Sequence, residues 1–418
     1  MGARPGDIVR MEGGRKGAEG VLMPRHEFTS KDIIVVKLKN GYNIGLRLER
    51  DSKLVLMKKG IGLPERSVPK VGMSKELPAV KLIGTGGTIA SYVDYKTGAV
   101  HPALKADELV ASAPELADIC NIDSEVLYSI LSEDMTVEYW QNIAEHAFEA
   151  LKGGAAGVVI AHGTDTMAFT AAAVSFMLPG LNAPVVLTGS QRSSDRPSSD
   201  ARANLLSAAR LAAYGDLGEV AILMHSGSSD DSAIVHRGTR ARKMHSTRRD
   251  AFRTMGGEPI GTVGEDGISL TGEHRGRGTT CPELKKDMDD AVGLVYAYPG
   301  MHEKVLGASM DGMRGIVIAG TGLGHLPSKL LPSIEKFING GGHAVMTTQC
   351  LGGAVNLSVY SNGRALARAG VIEGTDMLPE VAWVKLMWVL GQKVSGEKVG
   401  GLMASNLAGE MSERRVLD

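Results

Sequence analysis

Two short segments place reactive side chains where an apolar run ends in a turn. KLIGTGGTIAS, residues 81–91, breaks at paired glycines and then presents Thr88. GVVIAHGTDTMAF, residues 157–169, breaks at His162, Thr164 and Asp165. A threonine hydroxyl attacks a carbonyl carbon only when a base takes its proton. Tyr92 and Tyr95, just beyond the first segment, are of a suitable type, as is Lys243 in HRGTRARKMHSTRRDAF. A lysine buried beside another cation gives up its proton more readily, and Arg240 and Arg242 are the nearest sources of such crowding. Residues 237–253 hold seven Lys+Arg and one Asp, which equally describes an exposed basic loop.

Each segment also has a plainer reading. A glycine-rich turn could cradle phosphate, but neither the GxGxxG spacing nor the Gly-Lys-Ser/Thr of a Walker loop is present. His162 has no companion histidines at metal-ligand spacing. Thr164 or Asp165 could simply cap a helix starting at MAFTAAAVSFML. That role is compatible with function, because helix N-termini attract anions.

The elements that must carry these turns follow from periodicity. Beyond Val80, short apolar runs (AVKLIG, GVVIAHG, APVVLTG, EVAILMHS, GLVYAYPG, RGIVIAG, HAVMTTQC) alternate with helical patterns. In TVEYWQNIAEHAFEALKGG, the residues Val137, Trp140, Ala144, Ala147, Phe148 and Leu151 form one apolar stripe. Thr136 is the expected N-cap, and Gly153 or Gly154 the stop. Such alternation predicts an α/β fold, a mainly parallel sheet with helices on both faces and ligands beyond the carboxyl ends of its strands.

Residues 1–60 differ, with short β-rich runs and an Asn40-Gly41 hairpin signal, and predict a small SH3-like β-barrel. Residues 61–78 contain three prolines and read as a linker. The expected division is then a larger α/β domain at 79–300 and a smaller one at 301–418. Residues 1–70 carry 15 Lys+Arg against 8 Asp+Glu, leaving 31 against 39 in the remainder. A basic appendage can touch nucleic acid or be a solvated face. Its scarce aromatics, Phe28 and Tyr42, argue against a stacking platform for single strands. Three scattered cysteines, no leader-like start and no apolar run of about 18 residues predict a cytoplasmic protein without disulfides or membrane spans.

At the threonine turns the sequence resembles the bacterial-type L-asparaginase family, over residues 79–410. TGGTIA at 85–90 and HGTDTM at 162–167 look like its two signatures, supported by VVLTGSQR and DMLPEVAWVKLMWVLG. The resemblance implies two α/β domains, active sites completed by a neighbouring protomer, and hydrolysis of a side-chain amide without metal or organic cofactor. Thr88 would be the nucleophile that forms the acyl-enzyme, aided by Tyr95 or, failing that, Tyr92. Thr164, Asp165 and Lys243 would form a second triad, with a backbone N–H of that loop stabilising the oxyanion. Asp165 would also hold the substrate's α-amino group and Ser132 its α-carboxylate. Glu133 stands where many relatives carry glutamine, and His325 where some carry asparagine. These departures leave the choice between asparagine and glutamine open.

The basic module and the ending NLAGEMSERR are similar to the asparaginase-type subunits of archaeal glutamyl-tRNA(Gln) amidotransferases. That likeness implies a ligase complex in which this chain releases ammonia from glutamine or asparagine. A separate chain, the amidotransferase E subunit, would use ATP and Mg to amidate Glu-tRNA(Gln) and make most of the tRNA contacts. A homodimer through the asparaginase-like body, within a heterotetramer, is also implied. CLGGAVNL at 350–357 departs from the bulkier family pattern. A freestanding cytosolic L-asparaginase and a catalytically idle scaffold are the other readings.

Overall fold

The computed structural model describes residues 3–13, 18–23, 30, 32–38, 43–49, 51–59, 74–87, 92–93, 100–101, 110, 113–192, 199–280 and 282–412. The first five strands are β1 (Ile8–Glu12), β2 (Ala18–Leu22), β3 (Ile33–Lys37), β4 (Asn43–Arg47) and β5 (Lys53–Lys58). They form one antiparallel, barrel-like sheet in the order β4-β3-β2-β1-β5. Side chains on a strand alternate between faces, so Val9 and Met11 of β1 point the same way and meet Leu22, Val36 and Leu46 in a small private core. β3 and β4 pair with Lys37 opposite Asn43; the Asn40-Gly41 dipeptide expected to turn the chain lies outside the described residues.

The body begins where Asn121 receives the chain. Ser74 N–H donates to the Asn121 carboxamide oxygen, and the Asn121 amide donates back to the Ser74 and Leu77 carbonyls. β6 (Ala79–Gly86) then enters an eight-stranded sheet. A short antiparallel pair follows, β7 (Tyr92–Val93) with β8 (Val100–His101). β9 (Asn121–Ile130), β10 (Gly157–Ala161), β11 (Val185–Thr188) and β12 (Val220–His225) join β6 in parallel, in the order β9-β6-β10-β11-β12. β13 (Ser232–Arg237) turns the sheet antiparallel. β14 (Ala241–Lys243) and β15 (Phe252–Thr254) form a separate ribbon, and β16 (Gly261–Gly264) and β17 (Gly267–Leu270) complete the antiparallel edge.

The chain steps from β6 to β9 on one side and returns to β10 on the other. The exits of β6 and β10 therefore flank a point where strand order reverses, the position at which open α/β sheets bind ligands. Both faces of the sheet are covered. Ile83, Val158 and Ile160 face α1 (Val137–Lys152) and α2 (Met167–Met177), whereas Leu82, Val159 and Ala161 face α3 (Ala201–Tyr214). Helix α1 forms as its stripe dictates: Trp140, Ala144, Ala147 and Leu151 are buried, and the Thr136 hydroxyl accepts the Tyr139 N–H. A cap of this kind contributes about 1 kcal/mol.

A second parallel sheet contains β18 (Val292–Tyr296), β19 (Gly315–Gly320), β20 (His343–Thr348) and β21 (Ile372–Glu373), in that order. Its helices are α4 (Glu303–Met310), α5 (Leu331–Asn339), α6 (Ser361–Arg368), α7 (Pro379–Gly391) and α8 (Gly396–Ala404). Helix α7 is buried on nearly every side between the smaller sheet and helix α2, and carries Glu380 and Lys385 among its apolar residues. Trp383 meets Trp140 and Phe169 edge-on, while Trp388 stacks with Phe176. No described helix is long and apolar enough to cross a membrane.

Candidate active site

At the exit of β6, the backbone takes positive φ at Gly86 (106°) and Gly87 (75°), a region that only glycine enters without strain. Space demands glycine as well. A Cβ on Gly86 would lie 2.2 Å from the Ile130 carbonyl oxygen, and one on Gly87 would lie 2.5 Å from Gly163 Cα. The turn before Thr88 is thus packed backbone to backbone against the loop leaving β10. Ser132, on a short 3-10 turn (Ser132–Asp134) after β9, closes on the same point: a Cβ on Gly163 would sit 2.6 Å from Ser132 Cβ. A fourth exit, after β11, joins them through Gly189, whose Cβ would meet His162 O at 2.5 Å and Thr164 Cγ2 at 2.9 Å.

The loop after β10 does not use its side chains as a cap. Helix α2 starts at Met167 with Thr166 in the capping position and no side-chain cap bond; the Thr166 hydroxyl donates to the Ser132 carbonyl instead. Thr164 and Asp165 turn to Lys243, whose Nζ donates to Thr164 Oγ1 at 2.8 Å and to Asp165 Oδ1 at 2.7 Å. Thr164 is buried, the Lys243 side chain is 13% exposed, and the Asp165 carboxylate is 69% exposed. One oxygen of that carboxylate is therefore held by the ammonium while the group still faces solvent. Lys243 is fixed by register, being paired with the fully buried Phe252 across the β14–β15 ribbon.

The crowding of Lys243 by like charge does not occur. Arg240 donates to Asp376 Oδ2, the Gly409 carbonyl and the Ser412 hydroxyl, each at 3.0 Å. Arg242 lies 3.6 Å from Glu380, whose carboxyl is pushed up by burial against the opposing pull of Arg242. Nor is the run 237–253 a solvated basic face throughout: the Arg240 and Arg249 side chains are 7% and 12% exposed, and the exposed part is confined to the turn at 244–248 and to Arg253. Carboxylates from distant segments neutralise Arg237, Arg240 and Arg249, Asp250 within the run serves Arg248 and Arg253, and the nearest charge to the lysine is the anion Asp165.

The site also includes groups that spacing along the chain does not single out. His162 is buried, with Nδ1 2.7 Å from the Gly163 carbonyl oxygen and Nε2 2.9 Å from Thr170 Oγ1, which also receives the Trp140 indole N–H at 2.9 Å. Burial lowers its pKa to about 4, opposed by the bond to Gly163. The loop after β11 is held by Asp200, which accepts the Gln191 and Arg192 N–H groups, and by Asn204, whose amide donates to the Gly189 carbonyl. No local motif marks Asp200 or Asn204.

Of the residues singled out from sequence, Thr164, Asp165 and Lys243 are in mutual contact, and Ser132 adjoins their loop. Glu133 is exposed on the same short turn. Thr88 and Tyr95 lie outside the described residues, as does the Tyr92 side chain. His325 follows β19 in the smaller sheet, edge-on to Tyr360. No group of three His, Cys, Asp or Glu among the described residues is arranged to hold a metal.

This fold and loop arrangement define an asparaginase-type protein. Residues 79–275 match the family model "Asparaginase, N-terminal" and residues 291–403 match "Glutaminase/Asparaginase C-terminal domain". The thermostable L-asparaginase from Thermococcus kodakarensis superposes with a TM-score of 0.72 at 34% identity, covering 80% of this chain and 100% of that one. L-asparaginase I from Vibrio cholerae gives 0.71 at 32% identity, covering 80% and 99%. The N-terminal module narrows the assignment, since residues 3–57 match the "GatD N-terminal domain". The glutamyl-tRNA(Gln) amidotransferase D subunit from Pyrococcus furiosus is 48% identical over 97% of this chain and 93% of its own length. The D subunit from Methanothermobacter thermautotrophicus is 47% identical over 98% and 94%. The chain belongs to the family of glutamyl-tRNA(Gln) amidotransferase D subunits.

Proposed function

We propose that the chain is the ammonia-donating component of a glutamyl-tRNA(Gln) amidotransferase, cleaving the side-chain amide of glutamine or asparagine through a threonine acyl-enzyme. The contact of Lys243 with both Thr164 and Asp165, one backbone contact from the turn that precedes Thr88, carries this reading. Thr88 Oγ attacks the carboxamide carbon, with Tyr95 or Tyr92 taking its proton. Backbone N–H groups of the loop after β10 receive the developing oxyanion. The C–N bond then breaks, ammonia leaves with a proton relayed through Thr164 and Lys243, and water hydrolyses the threonyl ester to the acid. Asp165, anionic and open to solvent on one side, suits the substrate's α-amino group. Ser132, buried against Gly163, suits the α-carboxylate, and Glu133 beside it bears on side-chain length. Nothing in these steps calls for a metal or organic cofactor on this chain.

The ammonia passes to a partner chain, the amidotransferase E subunit, which activates tRNA-bound glutamate with ATP and Mg. The asparaginase-like body pairs with its own copy in a cytoplasmic heterotetramer. The test is a pull-down of the native chain followed by ammonia assays with both amides, with and without the partner and Glu-tRNA(Gln). Thr88→Ala, Thr164→Ala and Lys243→Ala each abolish ammonia release while leaving the unfolding midpoint in place. Near-normal turnover in any of them removes that residue from the mechanism. Full asparagine turnover unaffected by any partner favours the freestanding enzyme instead.

A further inference from the structure

The hydrogen bonds around His162 run in only one direction. A carbonyl oxygen can only accept, so His162 Nδ1 carries a proton and donates it to the Gly163 carbonyl. Burial keeps the ring neutral, so Nε2 carries no proton and accepts from the Thr170 hydroxyl, whose oxygen in turn accepts the Trp140 indole N–H. A trans peptide holds its C=O and N–H antiparallel, and the chain has no cis bonds among its described residues. Drawing the Gly163 carbonyl toward the buried ring therefore turns the Thr164 N–H the opposite way, and no described residue accepts it.

We propose that His162 is a positioning residue for acyl transfer: its Nδ1–H pins the Gly163–Thr164 peptide so that the Thr164 N–H is presented to the oxyanion that forms on the substrate. The inference rests on the amidase reading of this loop. The Gly163 carbonyl fixes the tautomer, Thr170 and Trp140 are arranged to match it, and burial keeps the ring uncharged at neutral pH. Gly163 has no side chain to hold the peptide and lies between Gly87 and Ser132. The imidazole thus supplies an orientation that the loop's own sequence does not.

Two substitutions separate the ring nitrogens. In His162→Asn the amide replaces Nδ1 and can still donate to Gly163 O. In His162→Gln it reaches the Nε2 position and leaves Gly163 O free. Loss of one oxyanion donor lowers kcat by about a hundredfold to a thousandfold. The expected result is that loss in His162→Gln with KM little changed, and kcat within about tenfold of the parent in His162→Asn. Equal losses in the two variants, or a loss confined to KM, overturn the proposal. Nitrogen-15 spectra of histidine-labelled native protein test it in the parent enzyme, a variant serving only to assign the signal. The signal displaced by Thr170→Val should be pyrrole-type at Nδ1 and pyridine-type at Nε2 at neutral pH, and the reverse tautomer or an imidazolium refutes it. An active Thr164→Ala enzyme would instead refute the amidase reading, whatever the His162 variants do.

Discussion

The segment that ends the described chain is held by an ion pair with no solvent exposure, and breaking it should be costly in a diagnostic way. Lys385, on α7, donates to Glu410 Oε1 at 2.6 Å, to the Met403 carbonyl at 3.0 Å and to the Ser405 carbonyl at 2.5 Å. All three ammonium protons are satisfied. Glu410 in turn accepts the Leu407 and Ala408 N–H groups, folding residues 407–410 around itself. Burial lowers the Lys385 pKa against the opposing pull of Glu410, so desolvation outweighs attraction at the lysine, as it can in buried pairs. Removing one partner leaves the other buried without its counter-charge, at a cost of about 3–5 kcal/mol. Removing both leaves neither. An exposed pair would give about 0–1 kcal/mol for either single change.

The experiment is a double-mutant cycle of Lys385→Met and Glu410→Gln by urea unfolding. Tryptophan fluorescence is a suitable probe because Trp383 and Trp388 lie on the same helix. Each single variant should lose about 3 kcal/mol or more, and the double variant clearly less than their sum. Single losses below about 1 kcal/mol, or strict additivity, would refute the argument. Turnover should fall with stability, because residues 408–412 bind Thr239 and Arg240 just ahead of Lys243.

Three further outcomes follow from the geometry. Gly163→Ala forces a Cβ to within 2.6 Å of Ser132 Cβ; overpacking of this kind costs about 1–3 kcal/mol, and ammonia release should drop more than urea stability does if the loop's position governs catalysis. Acid should destabilise the fold through His162 and His236, whose pKa values burial lowers to about 4 and about 3. A histidine whose folded pKa lies below its unfolded value of 6.5 contributes stability above that value and loses it as pH falls toward the folded pKa. For His162 the loss is on the order of 3 kcal/mol between pH 6.5 and 4, readable as a falling unfolding midpoint and refuted by a flat one. Deleting residues 1–70 removes a sheet with its own core and leaves the Ser74–Asn121 bonds in place, so ammonia release should persist while tRNA amidation weakens; unchanged amidation would show that the module is dispensable.

Alternating strands and helices, the β10 loop and the stripe of α1 were readable because each is set by near neighbours: apolar period, glycine at a turn, threonine at a cap. The run 237–253 was not, because its partners are remote. Composition there suggested either cations crowding Lys243 or a solvated face. In the fold Arg237 binds Glu219, Arg240 binds Asp376, Arg249 binds Asp230, and Arg248 and Arg253 share Asp250. Only Asp250 lies within the run, so a local count of charge could not show the neutralisation. The antiparallel edge, β13, β16 and β17, was missed for a related reason. Its strands are four to six residues long, and successive pairing, β13 on β12, β16 on β13 and β17 on β16, holds them more than any pattern of their own. His162 is the sharpest case. Read along the chain it is a histidine without companions at metal-ligand spacing. Its partners come from α2, eight residues on, and from α1, which precedes its strand. The direction of a proton along that chain of three side chains is a property of packed helices, and no window of sequence contains all the packing that sets it.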